Sequence, residues 1–166
     1  MPAAARELRG EALLSLLVDA LPLLRGGLTP GAADALARLL LRRLKVDAVA
    51  VVDGERVLAR RGVGSDHHRA GDPHRTALTQ RVLARPRTVV AHGREAIGCP
   101  HPGCPLTAAV VAPLLVQGQV VGALKLYRSG RGRIGADVVQ VARGLARIFG
   151  VYLELADLEA QAARVV

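Results

Sequence analysis

The 166-residue chain is 51% hydrophobic, 22% charged and 2% aromatic, with a formal net charge of +9. That excludes a disordered polar chain and suits one domain burying roughly 70% of its unfolded surface. The charge sits on scattered arginines, with Lys45 and Lys125 the only lysines and Tyr127, Phe149 and Tyr152 the only aromatics, so no base-stacking platform exists and specific nucleic-acid binding is not expected.

The longest apolar run, Ala12 to Leu24, is broken by Ser15, Asp19 and Pro22 and is too short to span a bilayer. Met1 to Arg9 lacks the basic, apolar, small-residue order of a secretory signal. The chain is expected to be cytoplasmic, with no direct membrane insertion. Glu11 to Arg25 reads as an amphipathic helix on Leu13, Leu14, Leu17, Val18, Leu21 and Leu24. Gly26-Gly27 stops it. Thr29-Pro30 then offers an N-cap and a first-turn proline for a second helix, Gly31 to Leu44, whose face is Ala32, Leu36, Leu39, Leu40 and the stem of Arg43.

The period then shortens to that of strands. Val46 to Val52 ends at Asp53-Gly54, a two-residue hairpin signal, with Glu55 to Arg60 as partner strand. Gly62 to Pro73 is a polar loop, His74 to Ala84 a helix, and Thr88 to Ala91 a short strand. A proline-rich loop, Gly93 to Pro105, leads into a second hairpin, Leu106 to Val116 and Val120 to Tyr127. From Ile134 to Ala163 a long helix repeats Val138, Val141, Leu145, Ile148, Tyr152 and Leu155 at heptad-like spacing, then Val151, Leu158 and Ala162 carry an apolar stripe onward. Such a tail suits a homodimer formed through terminal helices.

Hairpins force antiparallel pairing, and strands apolar on both faces need cover on both sides. The fold class is therefore α+β: three layers around a central antiparallel sheet, with helices on one face and loops plus a short helix on the other. No internal repeat or flexible linker divides it. Residues 1–166 read as a single domain, with helices at 1–44, sheet and loops at 45–133, and the long helix at 134–166.

Two loops are too particular to be filler. One holds Asp66-His67-His68 before Gly71-Asp72-Pro73; the other holds Cys99-Pro100-His101-Pro102-Gly103-Cys104. Both leave sheet strands, where scaffolds present binding groups. Two thiols and an imidazole permit zinc or another transition metal, with His67 or His68 completing a tetrahedron. Adjacent histidines in an extended segment point oppositely, so at most one of the two is expected to ligate. The thiols could instead form a reversible redox pair, or simply pack as small hydrophobes. Asp66 either caps a turn, orients a ligating histidine, or joins a polar wall for a small ligand. Lys125 lies in an apolar strand. On a central strand it would point into the covered side and favour a small anionic ligand; on an edge strand it would only be solvated.

The element order resembles that of GAF domains, and more closely the GAF domain of LytS-type bacterial sensor histidine kinases. The residues carrying the resemblance are Leu21–Leu28, Val49–Asp53, Asp66-His67-His68 with Gly71-Asp72-Pro73, Ile97–Pro100 through Leu106, Pro113-Leu114, Gly122–Tyr127, and Gly144–Phe149 leading into Leu153–Ala156. They span about residues 11 to 163. The resemblance implies a non-catalytic sensory module of a two-component signal-transduction kinase. It would bind a small ligand or metal in a loop-covered pocket formed by Asp66, His67, His68, Cys99, His101, Cys104 and Lys125, and relay occupancy through the C-terminal helix. The chain has no Asn-Pro-His-Phe phospho-acceptor setting and no glycine-rich ATP lid, so kinase activity does not carry over. The alternative, also a GAF-fold activity, is a thiol redox enzyme of the free methionine sulfoxide reductase kind using Cys99 and Cys104.

Overall fold

The structure, a computed structural model, describes residues 2–74 and 76–165, and for residues 2–9 the backbone alone. Met1, Arg75 (inside the expected third helix) and Val166 lie outside the described residues. Helix α1 (Pro2–Ala20) tightens into a 3-10 turn at Leu21–Leu24. The cause is Pro22, which has no amide hydrogen to continue the α-helical ladder. Helix α2 (Pro30–Arg43) begins as its residues dictate: Thr29 Oγ1 accepts from the Ala32 amide at 3.1 Å, and Pro30 takes the first turn. Five strands follow: β1 (Ala48–Val52), β2 (Val57–Gly62), β3 (Val89–His92), β4 (Leu106–Val116) and β5 (Gln119–Ser129). Helix α3 (Ala77–Ala84) precedes β3, and a single helical turn, α4 (Arg94–Ile97), follows it. Helix α5 (Ala136–Val165) closes the chain.

The sheet is antiparallel in the order β2-β1-β5-β4-β3, which makes β5 its central strand. Side-chain alternation sends Val49, Val51, Val110, Leu124 and Leu126 into a core with α1, α2 and α5. The opposite alternation sends Ala48, Ala50, Val52, Val111, Ala123 and Tyr127 into a second core with Leu78 and Val82 of α3 and Ile97 of α4. Three layers and an α+β class result, as the two-faced strands require. A bulge at Thr107 lets Leu106 and Ala109 share the loop-side core while Ala108 turns to the helices.

Several local expectations are corrected. The first hairpin does not turn in two residues. Asp53 Oδ1 instead accepts from the amides of Glu55 (2.8 Å) and Arg56 (2.7 Å), and so opens a four-residue loop, Asp53 to Arg56. Helix α3 starts at Ala77, because His74 N donates to the Glu55 carbonyl and Arg56 bridges to Pro73. The core positions are Leu16 and Ala20 on α1 and Leu24 on the 3-10 turn, while Leu14 and Val18 stand exposed. Arg43 is no apolar contact: it pairs with Asp19 at 2.5 Å. On α5 the buried stripe is Ala142, Leu145, Ala146, Phe149 and Leu153, which leaves Ile148, Val151, Leu155 and Leu158 on a second, open apolar face.

Helix α5 also outreaches the core it covers. Thirty residues at 1.5 Å each make a rod of roughly 45 Å, and no described residue after Leu153 is buried. Its middle lies hard against β4. A Cβ added at Gly150 would stand 2.5 Å from the Leu115 carbonyl oxygen, so only glycine permits this approach.

Candidate functional site

The loop after β2 and the loop after α4 meet over the sheet face opposite α5. The first is bent, not extended: His68 has a positive φ of 53°, a left-handed turn that brings its ring beside that of His67. The two ring centroids are 4.7 Å apart. The expectation of oppositely pointing histidines is thereby corrected, because a left-handed residue cancels strand alternation. The second loop is shaped at Gly98, whose φ of 70° ends α4. A Cβ there would sit 2.8 Å from the Ala77 Cβ at the start of α3. A bare backbone at Gly98 lets the start of the cysteine segment pack against the first residue of α3.

The contacts join the two loops directly. His68 Nε2 lies 2.9 Å from Cys99 Sγ. A ring nitrogen of His67 and the sulfurs of Cys99 and Cys104 all lie within 4.8 Å of one another. Both cysteines are free thiols, Cys104 buried and Cys99 half-buried. Asp66 Oδ1 sits 2.9 Å from His67 Nδ1. An ionised carboxylate only accepts, so Nδ1 carries a hydrogen, and in the neutral imidazole Nε2 is the nitrogen with the bare lone pair. That Nε2 is buried and has no hydrogen-bond partner, in a side chain only 8% exposed. His101 stacks on the His67 ring at 4.1 Å and 7°, and its Nε2 lies 3.5 Å from Asp66 Oδ2. His101 thus covers the site from outside and stands with Asp66, apart from the sulfurs.

Electrostatics follow burial. Desolvation pulls the His68 imidazole down to about 4, with Lys125 and His67 adding to the effect, so His68 is neutral at neutral pH. Desolvation pushes the Cys99 thiol up, while the His101 amide hydrogen-bonded to it works the other way. The hydrogen bond from His67 holds the Asp66 carboxyl below the usual range.

The floor of the site is a row of side chains across the sheet. Arg60 pairs with Ala50, and Ala50 with Lys125, so two cations flank one alanine, two strand spacings or about 9.5 Å apart by backbone position. Lys125 is on the central strand and 4% exposed, so it is not the solvated lysine of an edge strand. Its Nζ reaches Thr76 Oγ1 at 3.4 Å and lies 5.4 Å from the Tyr127 ring centre. Burial, and then Arg60, pull it down to about 7. Burial also pushes the Tyr127 hydroxyl up. Arg60 donates to the Val63 carbonyl at 2.6 Å, but its buried Nη1 has no partner.

Asp66, His67, His68, Cys99, His101 and Cys104 therefore come together, with Lys125 beneath them. Sequence reasoning missed Arg60 and Thr76. Arg60 had a signal: hairpin register places it level with Lys125 across Ala50. Thr76 had none, since it follows a loop of no period.

A family model for the GAF domain matches residues 30–154. The chain belongs to the GAF domain family. It is 39% identical over 156 residues to the sensor protein LytS of Staphylococcus epidermidis, covering 94% of this chain and 26% of that protein. This GAF domain thus spans about a quarter of the length of the curated relatives it matches. Among solved structures it is similar to the GAF domain of a phosphoenolpyruvate-protein phosphotransferase from Coxiella burnetii, with a TM-score of 0.70 at 16% identity over 92% of this chain and 98% of that one. The fRMsr of Staphylococcus aureus, solved in complex with substrate, aligns with a TM-score of 0.66 at 14% identity over 85% of this chain and 95% of that one. At such identities the likeness is one of fold. No described helix is long and apolar enough to cross a membrane.

Proposed function

We propose that this GAF domain is the non-catalytic sensory module of a LytS-type sensor histidine kinase of a two-component system, acting in the cytoplasm. Its input site is the junction of the Asp66–Pro73 and Cys99–Cys104 loops, and its output element is α5. The observation that carries this reading is the 2.9 Å contact between His68 Nε2 and Cys99 Sγ, made on the sheet face opposite α5. An occupant that parts or clamps the two loops moves Cys104, and Cys104 runs directly into β4. At its other end β4 bears on Gly150 of α5. Relay requires the occupant to favour one arrangement of α5 over another, since equal affinity for both shifts nothing.

The buried Lys125 and the half-buried Arg60 suit an anionic occupant, whether a small carboxylate or ligated thiolates. The open apolar face of α5, with Leu14 and Val18 exposed on α1, suits a second copy of the chain, so the module works as a homodimer through its terminal helices.

Amide exchange followed by mass spectrometry tests this with a panel of small carboxylates, zinc(II) and cobalt(II). One probe is expected to slow exchange in residues 63–76 and 93–105 and also change it in residues 144–165. Loop protection with α5 unaltered, or no response to any probe, refutes the relay.

A second reading is a thiol redox enzyme. What favours it is two free thiols and an imidazole within reach of one another. The upward push on Cys99 opposes it, because nucleophilic thiols are those held as thiolates. Thiol-dependent turnover of free methionine sulfoxide, abolished by Cys99→Ser, would establish it.

A further inference from the structure

We propose that His67, His68, Cys99 and Cys104 form a tetrahedral site for zinc(II), with Asp66 as the residue that orients His67. This deepens the sensory reading of the same site and rests on it for its regulatory meaning. Three independent features converge. The first is His67: its Nδ1 is committed to Asp66, so the buried, partnerless Nε2 presents a lone pair. A carboxylate behind an imidazole is the arrangement that fixes the tautomer of metal-bound histidines and raises their basicity. A buried nitrogen lone pair with no donor costs free energy unless something electrophilic meets it.

The second is the donor set. Two sulfurs and a His67 nitrogen lie within 4.8 Å of one another, and His68 Nε2 is 2.9 Å from one of the sulfurs. Soft sulfur with imidazole in a four-donor set selects zinc over hard cations such as magnesium or calcium. The third is the floor. Lys125 lies buried beneath the loops beside the half-buried Arg60, whose Nη1 is buried without a partner, and two thiolates would supply negative charge facing them.

The binding step balances simply: one zinc(II) replaces the two thiol hydrogens, forms two metal–sulfur and two metal–nitrogen bonds, and releases up to two protons to solvent. No oxidant or reductant enters. His68 exchanges its contact with Cys99 Sγ for the metal, so both loops become tied to one centre. His101 and Asp66 remain outside it, against the His67 ring.

The test titrates the reduced 166-residue chain with cobalt(II) and then zinc(II). Expected are one equivalent of tightly bound cobalt, the sulfur-to-cobalt charge-transfer band, the intense visible bands of tetrahedral cobalt, their loss on adding one equivalent of zinc(II), and proton release into weak buffer. Cys99→Ser and Cys104→Ser should each abolish or strongly weaken the charge-transfer band. Asp66→Asn, at an exposed carboxyl, should weaken binding about 10- to 100-fold while keeping the same spectrum. If Cys104→Ser does not fold, Cys99→Ser and Asp66→Asn carry the test.

Octahedral cobalt without a sulfur band, or a spectrum unchanged in Cys99→Ser, overturns the proposal. It would mean that metal meets only the exposed Asp66 and His101 edge. Zinc binding with these signatures, but with exchange in α5 unaltered, leaves the metal site standing and fells the sensory reading. A carboxylate that alters α5 while cobalt gives no sulfur band does the reverse.

Discussion

Replacing Lys125 by methionine should stabilise the metal-free, reduced protein at neutral and acid pH. Lys125 sits on the central strand with only a hydroxyl at 3.4 Å and an aromatic face for company. Burial pulls its ammonium from the ordinary 10.5 to about 7. At about 1.4 kcal/mol per pH unit, holding that charge inside the fold costs about 5 kcal/mol, a large share of the 5 to 15 kcal/mol that typically separates folded from unfolded. The folded-state value lies below the unfolded one. Below pH 7 both states are protonated and the full cost is felt. Between about 7 and 10.5 only the unfolded chain binds the proton, so stability climbs with pH. Above 10.5 both are neutral and the cost is gone. Methionine keeps the apolar stem, and Thr76 Oγ1 keeps its 2.6 Å bond to Thr79. Urea denaturation of both proteins at pH 6, 8 and 10 reads the difference. A gain of several kcal/mol at pH 6 that shrinks steadily towards pH 10 is expected. A variant less stable at pH 6, or a gap that does not change with pH, would refute the reasoning and show Lys125 firmly paired in the fold.

The remaining expectations concern glycines, a surface ion pair and assembly. Gly98→Ala places a side chain at φ 70° and 2.8 Å from the Ala77 Cβ, so it should cost at least the ~1 to 2 kcal/mol of a left-handed alanine and weaken cobalt(II) binding by separating the loops. Gly150→Val drives a methyl group into the Leu115 carbonyl and should lower the melting temperature through a loss of about 1 to 3 kcal/mol or more, as overpacking does; an unchanged melt would mean α5 is not held on β4 as described. Asp34, which accepts from Arg61 and Arg38, is pulled down to about 2 chiefly by Arg61, so its contribution is present above pH 3.8 and lost as pH falls through about 2. Its side chain is 32% exposed and solvent screens the pair. Asp34→Asn should therefore cost about 1 kcal/mol at pH 7 and only a small remnant of that near pH 2, measured by denaturant melts. Val151→Asp with Leu155→Asp, on the open face of α5, should leave the fold intact and turn a sedimenting dimer into a monomer; identical sedimentation of both proteins counts against assembly through this helix.

Period and punctuation made most of the architecture legible. Strands that are apolar on both faces demanded two covering layers, and Thr29-Pro30 marked a helix start where it occurs. Local chemistry misled where a side chain competes with the backbone, as Asp53 does in the first hairpin. It also misled where a helix carries two apolar stripes, as α5 does: spacing shows a stripe, and only packing shows which one the sheet covers.

The site divides the same way. The thiols and imidazoles and their grouping into two loops were readable, because residue type and position along the chain need no fold to be seen. That the loops meet was not readable. Their approach depends on a left-handed turn at His68, a side-chain-free contact at Gly98, and a register that sets Arg60 level with Lys125 across Ala50. The sequence by itself determined the layers and the chemistry on offer, since both follow from short-range pattern and side-chain type. The tertiary structure alone decided which donors face one another, since distances of a few ångströms between residues thirty apart are set by how the sheet and its covering helices position two loops that have no period of their own.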